Sequence, residues 1–434
     1  MNKLNLKKKI LIIIKKFKEN DFNSVIKKSN FLLREIKNND FLWTLQGLSY
    51  LNLNNEVNSI KSFQAAIKIN PKNIDAKNYL GIAYKKINKL KEAEKCFLKC
   101  IELNPHYISS IVNLANLKIM IGKFEEAILL YTRAIKIDEN IENIHINLAH
   151  AYQSTKQFKK AKPILDNCLK KFPLSTKADR LLSLQINFKN DEYYLSSYLK
   201  KINKKELDVE KQIDLLFAIS KAYEDKKDYK KSFNYFSKGN ILKKNSLKTN
   251  INQKIKLFNK IKSFVLNFDF EYRNNSYHNE KKIIFIFGLP RSGTTLVESI
   301  ISSHEKVSST GETNFLNNFL KDKKIISNNI DDLLNLDLKE KYFDYLELFN
   351  LKNDVITDKS VNNYFYLGFI KHYFPESKLI HCQRNAKDNC LSIYKNLFPD
   401  NQAWKYDEKE LVEYYNLYKN IMSFWDKKIG KSIL

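Results

Sequence analysis

The sequence predicts two parts: a helical front half built as an α-solenoid, and a back half of α/β type with a parallel sheet. Two observations predict this: proline recurs on a 34-residue spacing early in the chain, and a continuous apolar run opens a glycine loop after Lys281. At 434 residues the chain exceeds one ordinary core, so several domains are expected. Hydrophobic residues make up 43% and aromatics 13%, which supports packed structure rather than disorder. The expected division is a helical segment at 1–39, a repeat array at 40–245 with irregular last units, a helical connector at 246–280 and an α/β domain at 281–434.

The repeat comes first because a missed period misreads the whole fold. Pro71 and Pro105 lie 34 residues apart, and Pro173 follows after twice that spacing. Trp43, Gly47, Tyr50, Phe63 and Ala66 precede the first proline, and Leu80, Gly81, Tyr84, Ala93 and Phe97 precede the second. The third unit carries Leu114, Ala115, Ala127, Tyr131 and Ala134, with Glu139 in the proline position; the fourth carries Leu148, Ala149, Tyr152 and Ala161. Small residues at 47, 81, 115 and 149 let one helix of a hairpin approach its partner closely, and proline stops the second helix. These offsets resemble the tetratricopeptide repeat (TPR) pattern. Residues 174–210 match it poorly, and it resumes at Leu215–Tyr223. The connector shows Leu257, Ile261 and Phe264 at helical spacing. The resemblance implies a concave face that holds a protein or peptide ligand, although such arrays also serve as spacers.

At Lys281 the pattern changes. Ile283-Ile284-Phe285-Ile286-Phe287 reads as a buried parallel strand. It runs into Gly288-Leu289-Pro290-Arg291-Ser292-Gly293-Thr294-Thr295 and then an apolar helix. Strand, glycine loop and helix together aim backbone N–H groups at an anion. The spacing is nearly that of a Walker A loop, but Thr294 stands where an NTPase needs lysine, and the cation is Arg291 inside the loop. A nucleotide kinase is therefore disfavoured.

This loop resembles the 5′-phosphosulfate loop of sulfotransferases that use 3′-phosphoadenosine 5′-phosphosulfate (PAPS), and separated motifs from about Lys281 to Tyr418 extend the likeness. The resemblance implies that Pro290, Arg291, Ser292, Gly293, Thr294 and Thr295 hold the 5′-phosphosulfate. Lys378–Tyr394 resembles the family's 3′-phosphate segment, which implies that Arg384 and Ser392 grip the 3′-phosphate. Ser308–Thr313 is similar to the Gly-Glu-Thr segment of tyrosylprotein sulfotransferases. That likeness implies Glu312 as general base; a capping or backbone-orienting carboxylate is the other reading. Thr357–Asn363 is similar to an Asp-Lys-x-Pro-x-Asn segment, with Val361 in place of the proline. It implies that Lys359 stabilises the leaving oxygen; the other reading is a surface lysine in a lysine-rich chain. His381, inside its strand, is expected to be structural. PAPS is then the co-substrate and PAP the product, the acceptor is a hydroxyl, with a protein tyrosine among the candidates, and no metal is expected. Only six of the 75 basic residues are arginine, and the two in 281–434 are Arg291 and Arg384. Arginine supplies the planar fork that suits phosphate. The family's domain ordinarily continues beyond these motifs, so the sequence is expected to lack its C-terminal part, leaving a sheet edge unpaired.

Charge and cysteine usage bound the rest. Residues 281–434 hold 22 basic and 20 acidic side chains, against 53 and 28 before them. The basic front half suits an acidic partner, and drift toward lysine explains it equally well; no nucleic-acid motif accompanies it. Five cysteines without a CxxC pair, and no apolar run near the length of a bilayer, lead to the expectation of a cytoplasmic protein without a membrane partner. The alternative to an enzyme is a non-catalytic TPR scaffold with a degenerate nucleotide-binding domain.

Overall fold

Helix by helix, the front of the chain follows its caps and its small residues. In the computed structural model, which describes residues 3–204, 207–266, 281–313, 315–322 and 337–434, antiparallel helix pairs succeed one another from Lys3 to Ile137, and Glu142–Ser154 follows them. Asn39, Asn55 and Asn73 each accept a backbone N–H three residues on, satisfying a donor that the first helical turn leaves free. Within Asp40–Asn52 and Glu56–Ile69, Gly47 lies under the ring of Phe63: a Cβ there would come within 2.6 Å of it. Gly81 stands in the same relation to Phe97.

The tight turn inside each pair has its own signature. Asn20, Asn54, Asn88 and Gly122 take left-handed backbone, one in each of these pairs, and Lys156 does so after Glu142–Ser154; each lies 34 residues from the last. Asn20 shows that the N-terminal segment is itself a repeat hairpin, Lys3–Lys18 and Phe22–Glu35. There the large and small partners are exchanged: buried Ile13 occupies the glycine position and buried Ser29 the phenylalanine position. The exchange removes the glycine signature from the sequence while keeping the volume of the interface.

The chain divides into two compact units, Met1–Ala151 and Tyr152–Leu434. The second begins with Phe158–Lys171 and the shorter helices Thr176–Ser183 and Tyr193–Ile202, then a long hairpin, Val209–Asp225 and Tyr229–Ser246. The helix Ile251–Leu266 occupies the start of the expected connector. Positions 267–280 of that connector, and the side chain of Phe264, lie outside the described residues.

The described sheet has four strands: β1 (Lys282–Gly288), β2 (Val307–Ser309), β3 (Val355–Lys359) and β4 (Lys378–Cys382). All pairings are parallel, in the order β2-β3-β1-β4. The apolar run of β1 is central, as its burial on both faces requires. The outer edge of β4 is taken up by residues near 434: Leu434 N–H donates to Leu379 O and His381 N–H to Leu434 O, each at 2.9 Å. The helix Glu408–Ile429 lies across this region, with Tyr414, Tyr418 and Trp425 buried. His381 stacks on Phe287 and hydrogen-bonds the Tyr418 hydroxyl, a packing role that fits its place in the strand.

Candidate functional site

Each segment singled out in the sequence follows the carboxyl end of a strand. Gly288 ends β1 and begins the loop, Glu312 follows β2, Lys359 ends β3 and Arg384 follows β4. Ligands of open parallel sheets bind at that edge. The strand order then sorts the residues into neighbours. Adjacent β2 and β3 bring Glu312 to Lys359, and adjacent β1 and β4 bring the glycine loop to Arg384.

In the loop, a Cβ at Gly288 would lie 2.3 Å from the backbone oxygen of Cys382 and 2.7 Å from Ser292 Oγ. Glycine is required there because the loop presses on β4. Arg291 takes φ 68°, rare for a residue with a side chain, and Gly293 takes φ 103° as the cap of the helix Thr294–Ile301. Thr294 is buried under the loop and Thr295 is exposed. Ser292 Oγ is buried and has no hydrogen-bond partner. Such a group is costly unless a ligand satisfies it.

The β4 segment closes on this loop. Arg384 Nη1 donates to Arg291 O at 3.4 Å, Arg291 Nε donates to Ser392 Oγ at 3.3 Å, and the buried Asn389 donates to Pro290 O at 2.9 Å. Neither Arg291 nor Arg384 has an acidic partner among the described residues. Two exposed guanidiniums and a helix N-terminus thus share one small surface, with the buried, unpartnered Ser292 hydroxyl in the same loop. The residues present fit a ligand carrying phosphate or sulfate groups.

Across the sheet edge, Lys359 Nζ lies 2.8 Å from Glu312 Oε1; the lysine side chain is 7% exposed and the glutamate 54%. The carboxylate therefore faces solvent while the ammonium comes from within. Behind them stand groups that sequence reading did not single out as functional. Glu298, buried in the helix after the loop, accepts from Ser309 Oγ (2.8 Å), Gly311 N (3.1 Å) and Thr357 Oγ1 (3.3 Å). It fixes the segment that carries Glu312. Burial pushes its carboxyl up, against these donors and the charge of Lys359. Its one sequence signal is the single charge in an otherwise uncharged helix.

Asp358 is also buried and accepts from Tyr342 Oη (2.7 Å), Thr313 Oγ1 (2.9 Å) and Asn363 Nδ2 (3.3 Å). It joins the two segments that flank the Glu312–Lys359 pair, and burial pushes it up to about 6. Lys405 is a buried lysine held 2.6 Å from Asp400 Oδ2, with its ammonium 3.9 Å from the centre of the Phe398 ring. Burial lowers its pKa, while Asp400 and the negative charge of Glu312 oppose that effect. No cluster of three or more histidine, cysteine or acidic side chains able to hold a metal occurs among the described residues. None of the described helices is long and apolar enough to cross a membrane.

Residues 284–433 match the model of a sulfotransferase family, and residues 42–73, 74–107, 115–156 and 143–170 match tetratricopeptide repeat models. The chain thus joins tetratricopeptide repeats at its front to a sulfotransferase-family domain at 284–433. An uncharacterized protein of Aquifex aeolicus is 30% identical over 167 residues, which cover 35% of this chain and 22% of the relative. The match thus spans about a fifth of that relative's length. Among solved structures, MamA is 22% identical with a TM-score of 0.36, covering 38% of this chain and 97% of MamA. A tetratricopeptide repeat protein from Parabacteroides merdae is 12% identical with a TM-score of 0.43, covering 54% and 92%. The sulfotransferase match takes in β2, β3, β4, all of β1 but its first two residues, and every residue placed at the carboxyl edge of the sheet.

Proposed function

We propose that this protein transfers a sulfuryl group from PAPS to a hydroxyl acceptor, a protein tyrosine among the candidates, in the cytoplasm. In this reading residues 40–245 serve as a peptide-binding array and residues 281–434 as the catalytic domain. The observation that carries it is the convergence of Arg291, Arg384 and Ser392, with neither arginine in an ion pair among the described residues, beside the unpartnered Ser292 hydroxyl.

PAPS supplies a sulfuryl group on a phosphate leaving group. Arg291 and the loop from Pro290 to Thr295 bind the phosphosulfate end with backbone N–H groups, hydroxyls and one guanidinium. A sulfuryl carries less charge than a phosphoryl, so fixed dipoles and cations of this kind suffice to stabilise it. Arg384 and Ser392 hold the 3′-phosphate. Glu312, on the exposed side of its ion pair, receives the proton of the acceptor hydroxyl. Lys359 keeps its ammonium directed at the oxygen that gains charge on departure. Glu298 and Asp358 orient the two segments on which that pair depends.

Calorimetric titration with PAP in the absence of Mg²⁺ tests the donor site. Binding is expected, and Arg384→Ala should weaken it at least tenfold, in line with the roughly 1.5–3 kcal/mol of a hydrogen bond to a charged group. Unchanged affinity in that variant contradicts the assignment.

A further inference from the structure

We propose that Asn240 is a positioning residue for the donor site, through which the last repeat hairpin clamps the helix that carries Asn389 and Ser392. The inference rests on the donor-site assignment above and adds to it a control point outside the α/β domain.

The helix in question, Ala386–Tyr394, reaches the glycine loop through Asn389 and Ser392. Its N-terminus is capped from within, since Asn385 Oδ1 accepts from Lys387 N at 3.0 Å. A helix also leaves its last four carbonyls without intrahelical partners. Here all four are accounted for. Leu391 O accepts from Lys395 N (3.0 Å), Ser392 O from Asn396 Nδ2 (2.7 Å), and Ile393 O from Asn396 N (3.0 Å). The fourth, Tyr394 O, accepts from Asn240 Nδ2 at 3.0 Å, across 154 residues of sequence. That bond is buried, and Asn240 is fully enclosed in the helix Tyr229–Ser246.

The contact is one of a set. The ring of Phe233 stacks on Tyr394 at 5.8 Å, and Lys395 pairs with Glu224 of the same hairpin. Lys244 bridges Asp407 (2.6 Å) and Glu410 (3.2 Å) at the start of the helix Glu408–Ile429. Just beyond the hairpin, Thr249 Oγ1 donates to Asn401 O at 2.6 Å. The hairpin Val209–Ser246 thus resembles a repeat in its sequence and buttresses the phosphate-binding helix in its contacts. The division of the chain at Ala151 rather than near residue 245 agrees with this.

The test uses the full chain with Asn240→Ala, and Phe233→Leu as a second variant should the first fail to fold. Amide hydrogen exchange over residues 386–396 should quicken roughly tenfold, the scale of one lost buried hydrogen bond, while β1 amides keep their protection. PAP affinity and the KM for PAPS should worsen several-fold with kcat little changed. Unchanged exchange over 386–396, or exchange that rises equally in β1, would overturn the proposal. Because exchange needs no ligand, it judges the clamp separately from the donor site: a wild-type chain that fails to bind PAP refutes the donor assignment alone.

Discussion

The hairpins between Asp40 and Ile137 and the sheet edge between Gly288 and Ser392 hold their key residues in opposite ways. In the hairpins the same packing recurs every 34 residues, with a small residue opposite an aromatic ring and a left-handed turn between the helices. At the sheet edge nothing recurs, and the candidate site draws its residues from the carboxyl ends of four different strands. Repetition makes the first region tolerant, because each hairpin shares its role with its neighbours. Convergence makes the second brittle, because Arg291, Glu312, Lys359 and Arg384 each have one place to stand.

That contrast can be broken by substitutions graded in effect. The largest is expected at the sheet edge. Gly288→Val meets the backbone of Cys382, which cannot rotate away, and should destabilise β1 and β4 by about 3 kcal/mol or more, with loss of PAP binding. Hydrogen exchange at β1 and PAP calorimetry would read both. Next comes the buried carboxyl of Asp358. Its pKa of about 6 lies above the ordinary 3.8, so the folded state holds a proton that the unfolded state has lost between those values. The stability this contributes is full below about pH 4 and lost as pH rises through 6, a change of roughly 3 kcal/mol. Asp358→Asn should flatten that slope in denaturation curves recorded from pH 4 to 7, and an unaltered slope would place its origin elsewhere.

Smaller effects belong to the array. Gly47→Ala puts a methyl group against the Phe63 ring, a side chain that can shift, so about 1–2 kcal/mol is expected, confined to exchange within residues 40–69. The smallest is at the turns: Asn88→Ala should cost about 1 kcal/mol by its left-handed backbone, and Asn88→Gly almost nothing. If Gly47→Ala destabilised the protein as much as Gly288→Val, the proposed difference between the two regions would fail.

The same contrast explains what could be read in advance. Repeats announce themselves by period, so the hairpins from Asp40 onward were legible. The hairpin at Lys3–Glu35 was not, because Ile13 and Ser29 exchange the large and small positions. The loop at Gly288 and the pair Arg384 and Ser392 were legible because each belongs to a contiguous motif. Their mutual contact was not, since it depends on β1 and β4 being neighbours. Glu298, Lys405 and Asn240 escaped for a related reason. Their importance lies in what surrounds them after folding, and an acid, a lysine or an asparagine in a helix is ordinary by itself. Asn240 shows this most clearly, since its partner carbonyl is 154 residues away.

The most direct measurement is transfer of labelled sulfuryl from PAPS to a panel of hydroxyl acceptors, run with the wild-type chain and with Glu312→Gln. The wild type should label an acceptor, and Glu312→Gln should lose about 10²–10⁴-fold in rate, as removal of a general base does, while still binding PAP. Equal rates in the two proteins, or a wild type that binds PAP and labels none of the acceptors, would contradict the account.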